Sequence, residues 1–209
     1  IAVATGDPLS WPRNDDGGPP AMTTTLQNEA APRTYGAPTI AVHWLVLALM
    51  AGAYATMEFS GIFPRGSAGR LTMRLTHYAL GLSVLALLVA RIPLRLARAE
   101  PPIVPAPPAW QAKAATIMHA ALYALMVVLP VLGWLAVSAE GRPVLILGVD
   151  LPMLIAPNKA WVKPLEGAHE VAGKIGYVLI GLHAAAALWH HYVVRDDTLA
   201  RMWPPARRG

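Results

Sequence analysis

The sequence predicts an all-α integral membrane protein, an up-down bundle of four transmembrane helices. Three observations lead there. Of the 209 residues 55% are hydrophobic and only 14% charged, against about a quarter charged in soluble domains. Four apolar segments each approach the roughly 20 residues that a spanning helix requires. The basic residues flank those segments and form no dense patch, so anionic lipid headgroups explain the net charge of +5 more simply than nucleic acid does. Cysteine is absent, which excludes disulfides, iron–sulfur clusters, thiolate zinc sites and covalent haem attachment.

Residues 1–34 are expected to be a disordered extension, because "DPLSWPRNDDGGPPA" is rich in Pro, Gly and Asp and has no apolar period. Met22 reads as a natural start, with residues 1–21 upstream of it. The membrane domain is expected over 35–204, with helices at about 37–59, 71–94, 114–139 and 169–194. Pro130 should kink the third helix without ending it, since membrane helices tolerate proline. Between helices two and three, "AEPPIVPAPPAW" (99–110) is an extended, semi-rigid connector. The apolar run "PVLILGVDLPMLIA" (143–156) is too short to span and is broken by Gly148, Asp150 and Pro152; it reads as a loop at the membrane surface. Residues 205–209 form a basic tail.

Lysine and arginine set the orientation. Arg13, Arg33, Arg91, Arg95, Arg98, Lys113, Arg195, Arg201, Arg207 and Arg208 fall on one side. Arg65, Arg70, Arg74, Arg142, Lys159, Lys163 and Lys174 fall on the other. The positive-inside rule puts the first side, with both termini, in the cytoplasm.

All seven histidines lie in or beside the four apolar segments, where an ionisable group is costly and needs a reason. His169 and His183 are 14 residues apart, almost four turns, which places them on one helix face roughly 21 Å apart along the axis. Up-down topology sets His43 at the level of His183 and His77 at the level of His169. Two facing pairs at two depths suit bis-histidine ligation of two b haems, because neutral imidazole is a good ligand for haem iron. Structural zinc would want four ligands at one depth. Gly81 and Gly173 each follow a histidine by four residues and leave room for a flat macrocycle; Gly176 and Ala184–Ala187 add more.

The segments "TIAVHWLV", "MEFSGIFPR", "GAHEVAGKIGYVLIGLHAAAALWHHY" and "DDTLARMWP", in that order and with the proline-rich connector, resemble bacterial di-haem cytochrome b561 over roughly residues 35–204. The resemblance implies a multi-pass protein of the bacterial inner membrane. It also implies a four-helix bundle with two b haems, the inner held by His43 and His183 and the outer by His77 and His169. The motif text is similar to members that oxidise superoxide, so the expected activity is superoxide:ubiquinone oxidoreductase. Periplasmic Arg65, Arg70 and Arg74 would steer the anion, opposed by Glu58, Glu166 and Glu170. His190, seven residues beyond His183, points to nearly the same face and is the first candidate to hydrogen-bond ubiquinone, with His119 and Trp44 beside it. His191 points about 100° away, towards the interface. The resemblance leaves an alternative, a cytochrome b subunit that takes electrons from a periplasmic redox partner protein. A histidine-based transporter of protons or metal ions is disfavoured, because no paired carboxylates lie within the apolar segments.

Overall fold

The computed structural model describes residues 34–96, 100–146 and 149–203. Apart from Thr34, the expected extension over 1–34 lies outside the described residues, as does the tail at 205–209. Among the described residues four helices are long and apolar enough to cross a membrane.

Helix α1 (Ala37–Glu58) carries Pro38 in its first turn, where the missing N–H has no helical partner to lose. Its 22 residues rise about 33 Å, enough for a hydrocarbon core of about 30 Å. A 3₁₀ turn at Phe59–Ile62 leads into α2 (Ala68–Leu96). That helix starts three residues before the expected 71; the Ser67 hydroxyl accepts from the Arg70 N–H at 3.3 Å. Helix α3 (Ala109–Ala139) begins directly after Pro108 and continues through a buried Pro130. Helix α4 (Lys159–Trp189) begins ten residues before the expected 169. Its first turns, "KAWVKPLEGA", mix Lys159, Lys163 and Glu166 with Pro164 and are mostly exposed, so hydropathy alone does not mark them. Asn158 does, by capping the helix with its side-chain oxygen on the Ala160 N–H at 3.0 Å.

The run at 143–156 is more ordered than a surface loop. It contains strands β1 (Val144–Ile146) and β2 (Val149–Leu151), antiparallel with Val144 opposite Leu151. Trp134 ties this ribbon to α3 by donating its indole N–H to the Pro152 carbonyl at 3.1 Å. Ser138 accepts from the Leu154 N–H at 3.1 Å.

The helices pack as two hairpins, α1 on α2 and α3 on α4, joined chiefly by α2 against α3. A small apolar core of Val46, Val84, Leu88 and Met126 sits at that junction. Side chains such as Val89, Ile117, Val128 and Val178 stay exposed, as expected of a lipid-facing surface.

One end of the bundle, called here the terminal end, is closed by hydrogen bonds between distant segments. Tyr35 donates its N–H to the Arg201 carbonyl at 3.1 Å, and Trp44 its indole N–H to the Met202 carbonyl at 2.8 Å. The Arg201 guanidinium is buried and donates to the Pro101 carbonyl. Asp197 accepts from the Val104 N–H at 2.9 Å. The opposite end, with the α1–α2 turn and the β ribbon, is the loop end.

Gly176 was expected to make room for a cofactor, but the space beside it is already filled. A Cβ there would fall on the Tyr54 hydroxyl and lie 3.0 Å from Leu125 Cδ2. Gly176→Ala is therefore expected to lower bundle stability by about 1–3 kcal/mol, read as a lower melting temperature of the purified protein. Tyr54→Phe in the same chain should recover part of that loss. Unchanged melting of Gly176→Ala would contradict this packing.

Candidate functional site

Towards the loop end, His77 on α2 and His169 on α4 face each other with ring centroids 5.9 Å apart and planes at 81°. Each ring is anchored within its own hairpin. His77 Nδ1–H donates to the Ala53 carbonyl of α1 at 2.9 Å, and His169 Nδ1–H to the Leu129 carbonyl of α3 at 2.9 Å. A carbonyl can only accept, so the hydrogen of each neutral ring sits on Nδ1 and Nε2 keeps its lone pair. Both rings line a cavity of about 640 Å³ with Gly81, Gly133 and Gly173 in its wall.

Nearer the terminal end, His43 on α1 and His183 on α4 have centroids 6.4 Å apart and planes at 63°. His119 of α3 joins them, 5.5 Å from His183. Trp44 stands edge-on to His43 at 5.7 Å. Arg91 of α2 donates to His43 Nδ1 at 3.0 Å and to the Tyr123 hydroxyl at 3.2 Å.

At the terminal end itself, α4 widens into a π-helical turn over His190–Val194. The His190 Nδ1–H donates to Asp196 Oδ2 at 2.5 Å. The other oxygen, Oδ1, accepts from the Thr198 N–H at 2.9 Å. His191 is exposed and stacks edge-on with Tyr192 at 4.8 Å.

The loop-end arginines separate. Arg74 lines the cavity. Arg70 instead donates to the Phe63 carbonyl at 3.4 Å, and Arg65 is exposed in the α1–α2 turn, outside the cavity wall. Glu58, Glu140, Glu166 and Glu170 share that wall with Arg74 and Lys174. Each of these acids is occupied: Glu58 accepts from the Tyr177 hydroxyl, and the others pair with Arg142, Lys163 and Lys174.

Residues 34–205 match the sequence profile of prokaryotic cytochrome b561. The chain belongs to that family. It is 42% identical over 165 residues to cytochrome b561 homolog 1 of Escherichia coli K12, covering 79% of this chain and 94% of the relative. It is 34% identical over 175 residues to a protein of Yersinia pestis named probable superoxide oxidase CybB, covering 84% and 98%. Cytochrome b561 homolog 2 of Escherichia coli K12 is 28% identical over 172 residues, covering 82% and 92%. This cytochrome b561 is thus a multi-pass electron-transfer protein of the bacterial inner membrane, from a family that binds b-type haem.

The residues present fit such a group. Two rings bonding one metal through facing nitrogens, at about 2 Å each, have centroids roughly 6 Å apart, as in both pairs. At Gly81 and Gly173 an added Cβ would meet nothing within 4 Å, so both leave open space beside His77 and His169. At Gly133 it would lie 3.2 Å from His169 Cε1, so glycine there lets α3 approach the ring. The pair nearer the terminal end carries a condition. A ring that binds metal through Nε2 holds its hydrogen on Nδ1, so Arg91 must leave His43 Nδ1 before His43 can ligate that way.

Arg91 and Asp196 were not anticipated as site residues. Arg91 enters the sequence reading only as one of the charges that set orientation, although it lies inside the second apolar segment, where an arginine is itself a signal. Asp196 is six residues beyond His190, a spacing that no regular helix turns into a contact.

Burial raises the Asp196 carboxyl, but the hydrogen bonds from His190 and Thr198 outweigh it and hold the group below its ordinary 3.8. Its stabilisation of the terminal turn is thus complete above pH 3.8 and lost as pH falls through the lower folded value. Amide exchange at Asp196 and Thr198, corrected for intrinsic rates, should accelerate on that acidification; unchanged protection would contradict the linkage.

Proposed function

We propose that this cytochrome b561 oxidises superoxide at the loop end and reduces ubiquinone at the terminal end, with the loop end periplasmic and both termini cytoplasmic. The observation that carries this is the arrangement of four histidines as two facing pairs at two depths. His77 and His169 would hold the outer b haem, and His43 and His183 the inner. When bound, the haems supply one-electron transfer across the bilayer. Two superoxide anions give up one electron each and leave as dioxygen; one ubiquinone takes both electrons and two protons to become quinol.

The protein's own groups have separate tasks. Arg74 is the cavity cation with no ion-pair partner among the described residues, and attracts a small anion to the outer site. Arg65 and Arg70 add positive charge at a distance. At the other end His190 hydrogen-bonds a quinone carbonyl, with His119 and Trp44 as neighbouring walls. The Yersinia relative's name supports superoxide as the donor. Glu58, the acid of the cavity wall bonded to a hydroxyl and not to a cation, favours a second reading, in which the basic face of a periplasmic dehydrogenase docks there and donates electrons.

Superoxide added anaerobically to oxidised holoprotein separates the two. Rapid haem reduction, with quinol accumulating when ubiquinone is present, supports superoxide oxidation. A normal b-haem spectrum that superoxide leaves oxidised overturns it in favour of a protein donor. His169→Ala is expected to halve the haem content by emptying the outer site alone; retention of both haems would overturn the pairing.

A further inference from the structure

The end of α4 is built around one contact. Over His190–Val194 the helix loosens to π geometry, and Arg195 takes a left-handed conformation at φ 60°. The chain then doubles back, and the Asp196 N–H donates to the His190 carbonyl at 3.2 Å. This places the Asp196 carboxylate against the His190 ring. Single π turns inside α-helices are frequent at functional sites. The carboxylate side chain is only 1% exposed, whereas the His190 side chain is 18% exposed. The acid is therefore sealed, and the imidazole keeps one edge accessible.

We propose that Asp196 is the positioning residue of a proton relay, holding His190 with Nδ1–H towards the carboxylate so that Nε2 passes protons to bound quinone. This rests on the placement of quinone beside His190 made above and adds to it the group that sets the ring's tautomer. The logic is that of a carboxylate–histidine pair in general acid–base catalysis. Oδ1 of Asp196 is occupied by the Thr198 N–H, so Oδ2 is the oxygen that meets His190. As quinone takes up its two electrons from the donor at the opposite end, the Nε2–H bond of the imidazolium breaks and a quinol O–H bond forms. The ring is then neutral, with its hydrogen on Nδ1 against Asp196. Water at the accessible edge returns a proton to Nε2, and the second quinol proton follows by the same route.

Asp196→Asn tests this directly. With the amide oxygen kept on the Thr198 N–H, the amide nitrogen faces His190 and donates to Nδ1, which forces the ring hydrogen onto Nε2. In full-length protein labelled with ¹⁵N-histidine, and with the His190 signals identified by their loss in His190→Gln, the wild type should show a protonated Nδ1. Asp196→Asn should show a protonated Nε2, and Asp196→Glu should restore the wild-type pattern. An unchanged pattern in Asp196→Asn overturns the proposal.

Reduced holoprotein mixed with a short-tailed ubiquinone supplies the second readout. Asp196→Asn should slow the maximal rate of reoxidation about 100-fold while the quinone concentration for half-maximal rate changes little. Asp196→Glu should recover most of the rate. Wild-type rates in Asp196→Asn, despite the tautomer change, overturn the relay. If His190→Gln also reoxidises at the wild-type rate and half-maximal concentration, the quinone placement itself has failed. Should Asp196→Asn not fold, the Asp196→Glu tautomer and rate still decide: a hydrogen on Nε2 with an unaltered rate overturns the proposal.

Discussion

An imidazole inside an apolar bundle cannot leave its N–H unpaired, because an unbonded polar group in hydrocarbon costs several kcal/mol, about 2–7 by transfer scales. The loop-end pair meets this condition by one rule applied twice. His77 of α2 bonds the Ala53 carbonyl of α1, and His169 of α4 bonds the Leu129 carbonyl of α3. Each bond stays within its own hairpin and uses the second lone pair of a helix carbonyl. The consequence is chemical: with each Nδ1–H bonded inside its own hairpin, both Nε2 atoms keep a free lone pair. The open cavity, the glycines in its wall and the looser contact between the two helix pairs follow from keeping the gap between hairpins free.

The terminal end is organised on the opposite principle. Its polar groups are tied off: Arg201 on Pro101, Asp197 on Val104, Trp44 on Met202. Such a clasp joins segments more than 90 residues apart in sequence and makes that end a fixed floor. Trp44, which was expected to meet a quinone ring, spends its indole N–H on the clasp and presents only its ring surfaces. His190 differs from these groups because its partner satisfies one nitrogen and leaves the other unspent.

Much of this was readable from residue order. Four apolar segments gave four helices, and the 14-residue step from His169 to His183, combined with up-down alternation, placed the rings that the fold brings to about 6 Å. Ends were less legible, since charged residues and Pro164 interrupt the apolar pattern in the first turns of α4 and only the Asn158 cap betrays them. Gly176 shows why composition misleads: a small residue signals closeness, but whether a side chain or a cofactor comes close depends on what the neighbouring helix carries, here Tyr54. Asp196 was illegible for another reason. Its contact with His190 exists because a π turn and a left-handed residue bend the chain back, and neither has a sequence period. Charge reading was also too coarse, since three loop-end arginines with one expected role occupy three different environments.

The hairpin arrangement has a consequence for biosynthesis. Helix α4 supplies one histidine to each pair, and both partners come from the first hairpin. A ribosome delivers the helices in order, so a chain halted after α3 displays His43, His77 and His119 but no facing pair. Insertion of the last helix completes both pairs together. Under the ligation proposed above, haem acquisition is thereby postponed to the final stage of membrane integration, and a chain truncated before α4 offers no completed pair to load.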